Sequence, residues 1–181
     1  MKTVRTTLRN ARSATIRSAA KLVLPLALFA LALTALSART AGAAELRLAN
    51  GWTNAPFSTS PAEAFLDEDV VHLKGAVANG TDSVLAAPLP TQFRPTARVY
   101  VPVDLCGGIQ GRLIIETTGL VSVQSSGLFS DAQCFTSLDG ARYARNTNGF
   151  TSLTPLNGWI ESVFGTHEAG VRLIDGIVHL Q

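Results

Sequence analysis

Residues 112–124 read RLIIETTGLVSVQ. Two apolar runs rich in β-branched residues flank Thr117-Thr118-Gly119. That arrangement predicts a β-hairpin, because glycine supplies the backbone freedom a tight turn needs. The same grammar extends outward. Upstream lie VVHLKGAVA (residues 70–78) and ARVYVPV (97–103), and downstream lies CFTSL (134–138). Turn signals separate them at Asn79-Gly80, Gly107-Gly108, Thr118-Gly119 and Asp139-Gly140. Short strands at this spacing predict an all-β fold, an antiparallel β-sandwich of jelly-roll-like or similar form. Pro88 and Pro90 break a strand, and Pro95 holds Arg94 extended at the start of the next. No convincing amphipathic helix follows the leader, and Thr53–Phe65 reads as a loop.

The first forty-odd residues belong to a different grammar. Lys2, Arg5, Arg9, Arg12, Arg17 and Lys21 precede the apolar run Leu22–Ala38, and an A-x-A site follows at Ala41-Gly42-Ala43. Residues 1–43 therefore read as a signal peptide, with a retained N-terminal membrane anchor as the alternative. The seventeen-residue run is at the lower limit for spanning a bilayer, and Pro25 interrupts it. Removing the leader inverts the charge. It carries seven of the fifteen Lys and Arg and none of the thirteen acids, so residues 44–181 hold 8 basic and 13 acidic groups, net −5. Phosphate neutralisation needs clustered cations, so nucleic acid is excluded as a partner. Electrostatic binding to anionic membrane is excluded for the same reason. Cys106 and Cys134 are the two cysteines, both in the exported part. In an oxidising compartment they most simply form one disulfide, with a metal pair or free thiols as alternatives.

The chain also starts one segment twice. NGWTNAPFSTSPAEAFLDEDVVHLK (50–74) aligns without gaps on NGWIESVFGTHEAGVRLIDGIVHLQ (157–181), with ten of twenty-five positions identical. The expected organisation is a module over 44–151 and a partial second copy over 152–181. Residues 153–181 cannot bury a core of their own. Three fates follow for them: a disordered tail of a truncated multi-module protein, an extra strand folded back on the first unit, or a strand offered to another molecule, giving self-association.

Trp52, VVHLKGAV (70–77), LPTQFRP (89–95) and SLDGARY (137–143) occur in that order. The pattern resembles a module of phage tail-fibre and minor tail proteins and of some exported bacterial proteins, roughly W…VxLxG…LPxGxRP…SLDGxxF. The chain departs from it at Gln92, where the pattern has glycine, and in its cysteine pair. The resemblance implies a compact β-sandwich used as a structural or receptor-facing module. It carries over no catalytic residues.

Individual residues add little chemistry. There is no G-x-S-x-G, no H-E-x-x-H and no phosphate-cradling glycine loop. His72 and His179 occupy equivalent positions and read as outward-facing strand residues, and His167 has no partner legible in the sequence. The run Leu66-Asp67-Glu68-Asp69 offers oxygen ligands for calcium. Its copy, Leu173-Ile174-Asp175-Gly176, keeps one acid, so a turn is the better reading. No metal site and no cofactor is expected. Trp52 and Trp159 are the candidates for stacking on a sugar ring, against the competing role of a core plug, which the residues favour. The sequence thus predicts an exported, non-enzymatic structural or binding module. Its expected role is surface attachment or contact with a cell-surface glycan or protein, the alternative being an extracellular hydrolase of unknown type.

Overall fold

A computed structural model describes residues 42–181; the expected signal segment up to residue 41 lies outside the described residues. The elements run β1 (Ala44–Glu45), β2 (Thr53–Asn54), β3 (Glu63–Asp67), β4 (Val70–Lys74), β5 (Ala76–Ala78), β6 (Val84–Ala86), β7 (Val99–Asp104), β8 (Gln110–Ile115) and β9 (Val121–Ser125). There follow α1 (Phe129–Cys134), β10 (Thr136–Ser137), β11 (Arg142–Ala144), β12 (Thr151–Ser152), β13 (Gly170–Ile174) and β14 (Ile177–Leu180).

Two four-stranded antiparallel sheets form the sandwich, in the orders β1-β3-β4-β11 and β6-β9-β8-β7. The hairpin read from RLIIETTGLVSVQ is β8–β9, in register Ile115↔Val121 to Gly111↔Ser125. Alternation puts Leu113, Ile115, Val121 and Val123 inside, where they join Ala64, Val71 and Leu73 of the other sheet. Leu85, Leu89, Phe93, Leu138 and Tyr143 complete the core. Tyr143 is buried, and its hydroxyl donates to the Phe93 carbonyl at 2.7 Å. Burial pushes its phenol up, so it stays a neutral donor.

VVHLKGAVA is two strands. Gly75 has φ +88°, and a Cβ there would lie 2.1 Å from the Pro61 carbonyl oxygen. Only glycine fits, and the chain turns at that point from β4 into β5, which belongs to a third sheet, β10-β5-β2. Asp139 accepts the Gly75 N–H at 2.7 Å, so the SLDG turn locks this switch. The loop expected over Thr53–Phe65 contains β2, a 3-10 turn at Pro56–Ser58 and the start of β3. α1 likewise exceeds the expectation of no helix. It is six residues long and too short for a 3.6-residue periodicity to show. Asp131 holds its start by accepting the Leu128 N–H at 2.8 Å. Cys134, at its end, is disulfide-bonded to Cys106 in the 3-10 turn after β7.

Residues 151–180 make a sheet of their own, β12-β13-β14, rather than extending a sheet of the sandwich. Its geometry matches the start of the chain at an offset of 107. Thr151↔Val171 corresponds to Ala44↔Ala64, and Leu173↔Val178 corresponds to Leu66↔Val71. Positive φ recurs at Asn50 and Asn157, at Ala55 and Ser162, at Phe57 and Phe164, and at Glu68 and Asp175.

The face that holds this hairpin on the sandwich combines the buried Ile174 with Arg172. Arg172 bonds Glu68 and lies 3.7 Å from Asp69, and Arg145 donates to Asp69 at 2.9 Å. The acidic run is therefore a turn that anchors two arginines. The Arg145 hydrogen bond holds the Asp69 carboxyl below its usual range, against an opposing effect of burial. A depressed folded pKa adds stability above the unfolded value near 3.8 and loses it as pH falls through the folded value. Asp69→Asn is expected to lower the melting midpoint at pH 7, with the difference shrinking as pH falls below 3.8 and vanishing once the folded carboxyl is protonated. Parallel melts of the two proteins across that range check it.

Candidate functional site

An open groove of ≈ 810 Å³ lies between the sandwich edge and the segment 153–167. β7 supplies one side through Val99, Tyr100 and Pro102, and β11 supplies Arg142 and Ala144. β7 is an edge strand in its sheet, and Pro102, which has no N–H, is tolerated there for that reason. The opposite wall is Leu153, Leu156, Trp159, Ile160 and Val163. This wall is pinned by a backbone bond from Arg98 N–H to the Gly165 carbonyl at 3.0 Å.

The lining is mainly apolar, with polar groups at its ends. His167 Nε2 sits 3.2 Å from the Thr96 hydroxyl, and burial pushes its imidazole down, so it is neutral at pH 7. Glu161 accepts the Ala169 N–H at 3.1 Å. Arg98 pairs with Glu116 at 2.9 Å, and the Arg112 guanidinium covers the Tyr100 ring at 4.9 Å from its centroid. A mainly apolar wall carrying the exposed Trp159, with Arg98, Arg142, Glu161 and His167 also in the lining, suits a ligand that is partly apolar and partly polar.

The two tryptophans part company. Trp52 is 5% exposed. Its indole N–H donates to the Asp82 carbonyl at 2.9 Å, and Phe129 meets its ring edge-on at 6.4 Å. Trp159 is 78% exposed and lines the groove. His72 stacks on Phe65 at 4.9 Å across the β3–β4 hairpin, and burial holds its imidazole below the ordinary value. His179 is close enough to be one of the charges that depress His72, whereas His167 lies at the groove, so the three histidines do not share one centre. Among the described residues no cluster of three His, Cys, Asp or Glu side chains is placed to hold a metal, and no helix is long and apolar enough to cross a membrane. Tyr100, Arg142 and His167 carried no sequence signal as site residues, because the groove assembles them from segments far apart in the chain.

The architecture has a counterpart among solved structures. The chain shares its fold with the receptor binding protein gp15 of Listeria phage PSA. The two superpose with a TM-score of 0.51 at 19% sequence identity, over 70% of this chain and 80% of that one. No family model and no curated protein matches the sequence. At this identity the likeness is one of fold: the β-sandwich is shared, and groove residues are not transferable from one protein to the other.

Proposed function

We propose that the chain is an exported, non-enzymatic attachment module that contacts a cell-surface receptor, best read as a glycan, through the groove at Trp159. The observation that carries this is the exposed indole on a mainly apolar groove in which Arg98, Glu161 and His167 are held by hydrogen bonds. A sugar ring presents an apolar face to such an indole and its hydroxyls to the flanking polar groups. The receptor-binding role of the phage protein of similar fold agrees with the reading, as does the disulfide, which suits an oxidising compartment. Nothing favours the hydrolase reading, since Glu161 and His167 are each engaged in holding the groove wall. The matched geometry of β1-β3-β4 and β12-β13-β14 is read as that of a repeated module.

The test is binding of the chain from Ala44 onward to bacterial surface polysaccharides and intact cells. Trp159→Ala is expected to weaken binding about tenfold or more, equivalent to losing roughly 1.4 kcal/mol. Trp159→Phe is expected to keep part of it. Binding that ignores Trp159 would move the site elsewhere, and a wild-type chain that binds no cell surface would end the attachment reading.

A further inference from the structure

The sequence holds four asparagine-glycine pairs, at 50–51, 79–80, 148–149 and 157–158. Such a pair carries a latent reaction of its own. The glycine nitrogen can attack the asparagine Cγ, because glycine has no side chain to hinder the approach. Three of the pairs are held against it. The Asn50 side-chain amide donates to the Val84 carbonyl at 3.0 Å, and its backbone carbonyl accepts the Thr81 N–H at 2.8 Å and the Thr81 hydroxyl at 3.0 Å. The Asn79 side-chain amide donates to the Thr53 hydroxyl at 3.0 Å, and the Gly80 carbonyl accepts the Gln133 amide at 2.7 Å, while Trp52 closes over Gly80. Asn148 donates its N–H to the Asn146 side chain at 2.9 Å and accepts Arg172 at 3.2 Å, and the Arg172 guanidinium lies against Gly149.

Asn157-Gly158 has no such restraint among the described residues. Both residues are exposed, and a Cβ at Gly158 would meet no atom within 4 Å. Asn157 at φ 55° and Gly158 at φ 78° form a tight turn, spanned by the Trp159 N–H bond to the Leu156 carbonyl at 3.2 Å. Opening that turn breaks this one bond and releases Asn157 from a left-handed conformation, so it meets little resistance. We propose that Asn157 is a site of self-modification by deamidation. The Gly158 nitrogen loses its proton to solvent base and bonds to Asn157 Cγ. The side-chain nitrogen leaves as ammonia, and a succinimide ring closes. Water then opens either carbonyl of the ring, giving aspartate or an isoaspartyl linkage. Water is the co-reactant, and nothing is oxidised or reduced. The product places a new carboxylate, and in the isoaspartyl form an added main-chain carbon, directly before Trp159. Asn157 and Gly158 do not line the groove, but Leu156 and Trp159 on either side of them do. Deamidation therefore re-aims the exposed indole. That consequence rests on the receptor reading, whereas the modification itself does not.

The test is peptide mapping by mass spectrometry of the chain from Ala44 onward, aged at mildly alkaline pH either folded or unfolded in urea. In the folded chain Asn157 is expected to convert about tenfold faster or more than Asn50, Asn79 and Asn148, which must first break the bonds that hold them. In urea the four are expected to convert at similar rates. Folded Asn157 that converts no faster than the other three overturns the proposal, as does folded Asn157 that stays intact while it converts in urea. A second arm compares fresh and aged chains on a cell surface that the fresh chain binds. Ageing is expected to weaken the wild type about tenfold and to leave Asn157→Gly, which suits the positive φ, unchanged. Full conversion of Asn157 with attachment intact overturns its effect on the groove. A fresh chain that binds no surface ends the receptor reading and leaves the mass result standing.

Discussion

Trp52→Ala is expected to lower the unfolding free energy by about 3–5 kcal/mol, the scale of truncating a fully packed aromatic core residue. The indole fills the end of the sandwich against Phe129, and the surrounding backbone is shaped to it. Gly80 shows how tightly: a Cβ at that position would lie 1.9 Å from the Trp52 ring. The asparagine-glycine pair at 79–80, readable as a turn, is thus also the floor under the indole. Truncation leaves a cavity that a closely approaching backbone cannot collapse to fill, and it leaves the Asp82 carbonyl without its donor. Trp159→Ala is the internal control. The same Asn-Gly-Trp triplet contains it, yet its ring is exposed, so the substitution is expected to change stability by less than about 0.5 kcal/mol. Urea denaturation of the two variants checks both values, and equal losses would mean that the second indole is packed in solution.

Cys134→Ser is expected to cost about 3–4 kcal/mol. The bond joins residues 28 apart in sequence, and the chain-entropy model assigns that amount to the loop it closes in the unfolded chain. Cys134 is exposed at the end of α1, so serine opens no cavity there. What the bond does in the folded chain is tie a six-residue helix, too short to persist alone, to the turn after β7. Reduction of the wild type should therefore match the variant. The check is the denaturation midpoint with and without reductant, and a reductant-insensitive midpoint would show that the pair contributes nothing. The Asp69 measurement is independent of both, since it reports on the anchoring of the hairpin at 170–180.

The alternation in RLIIETTGLVSVQ reached the structure unchanged, because a period of two assigns each side chain to a face before any tertiary contact exists. The all-β class, the β8–β9 hairpin and the Asp139-Gly140 turn into β11 came from such local rules. VVHLKGAVA did not yield to them. Its break at Gly75 is imposed by the Pro61 carbonyl, which arrives from another part of the chain, and a lone glycine in an apolar run does not announce that neighbour. α1 escaped because six residues do not display a helical period, and β2 because its pairing partner β5 lies some 25 residues on; the start of β3 escaped although its partner β4 is adjacent. The site followed the same division. Asn-Gly-Trp occurs twice with the same local backbone, and the sequence treats the two indoles alike. Burial of one and exposure of the other depend on whether a second sheet lies across the hairpin. Residues 76–151 supply that covering to the first hairpin, and among the described residues none plays the same part for the second. Sequence determined the strands and their faces, which are properties of neighbouring residues; tertiary structure alone decided which faces are covered, because covering is a property of surfaces brought together from opposite ends of the chain.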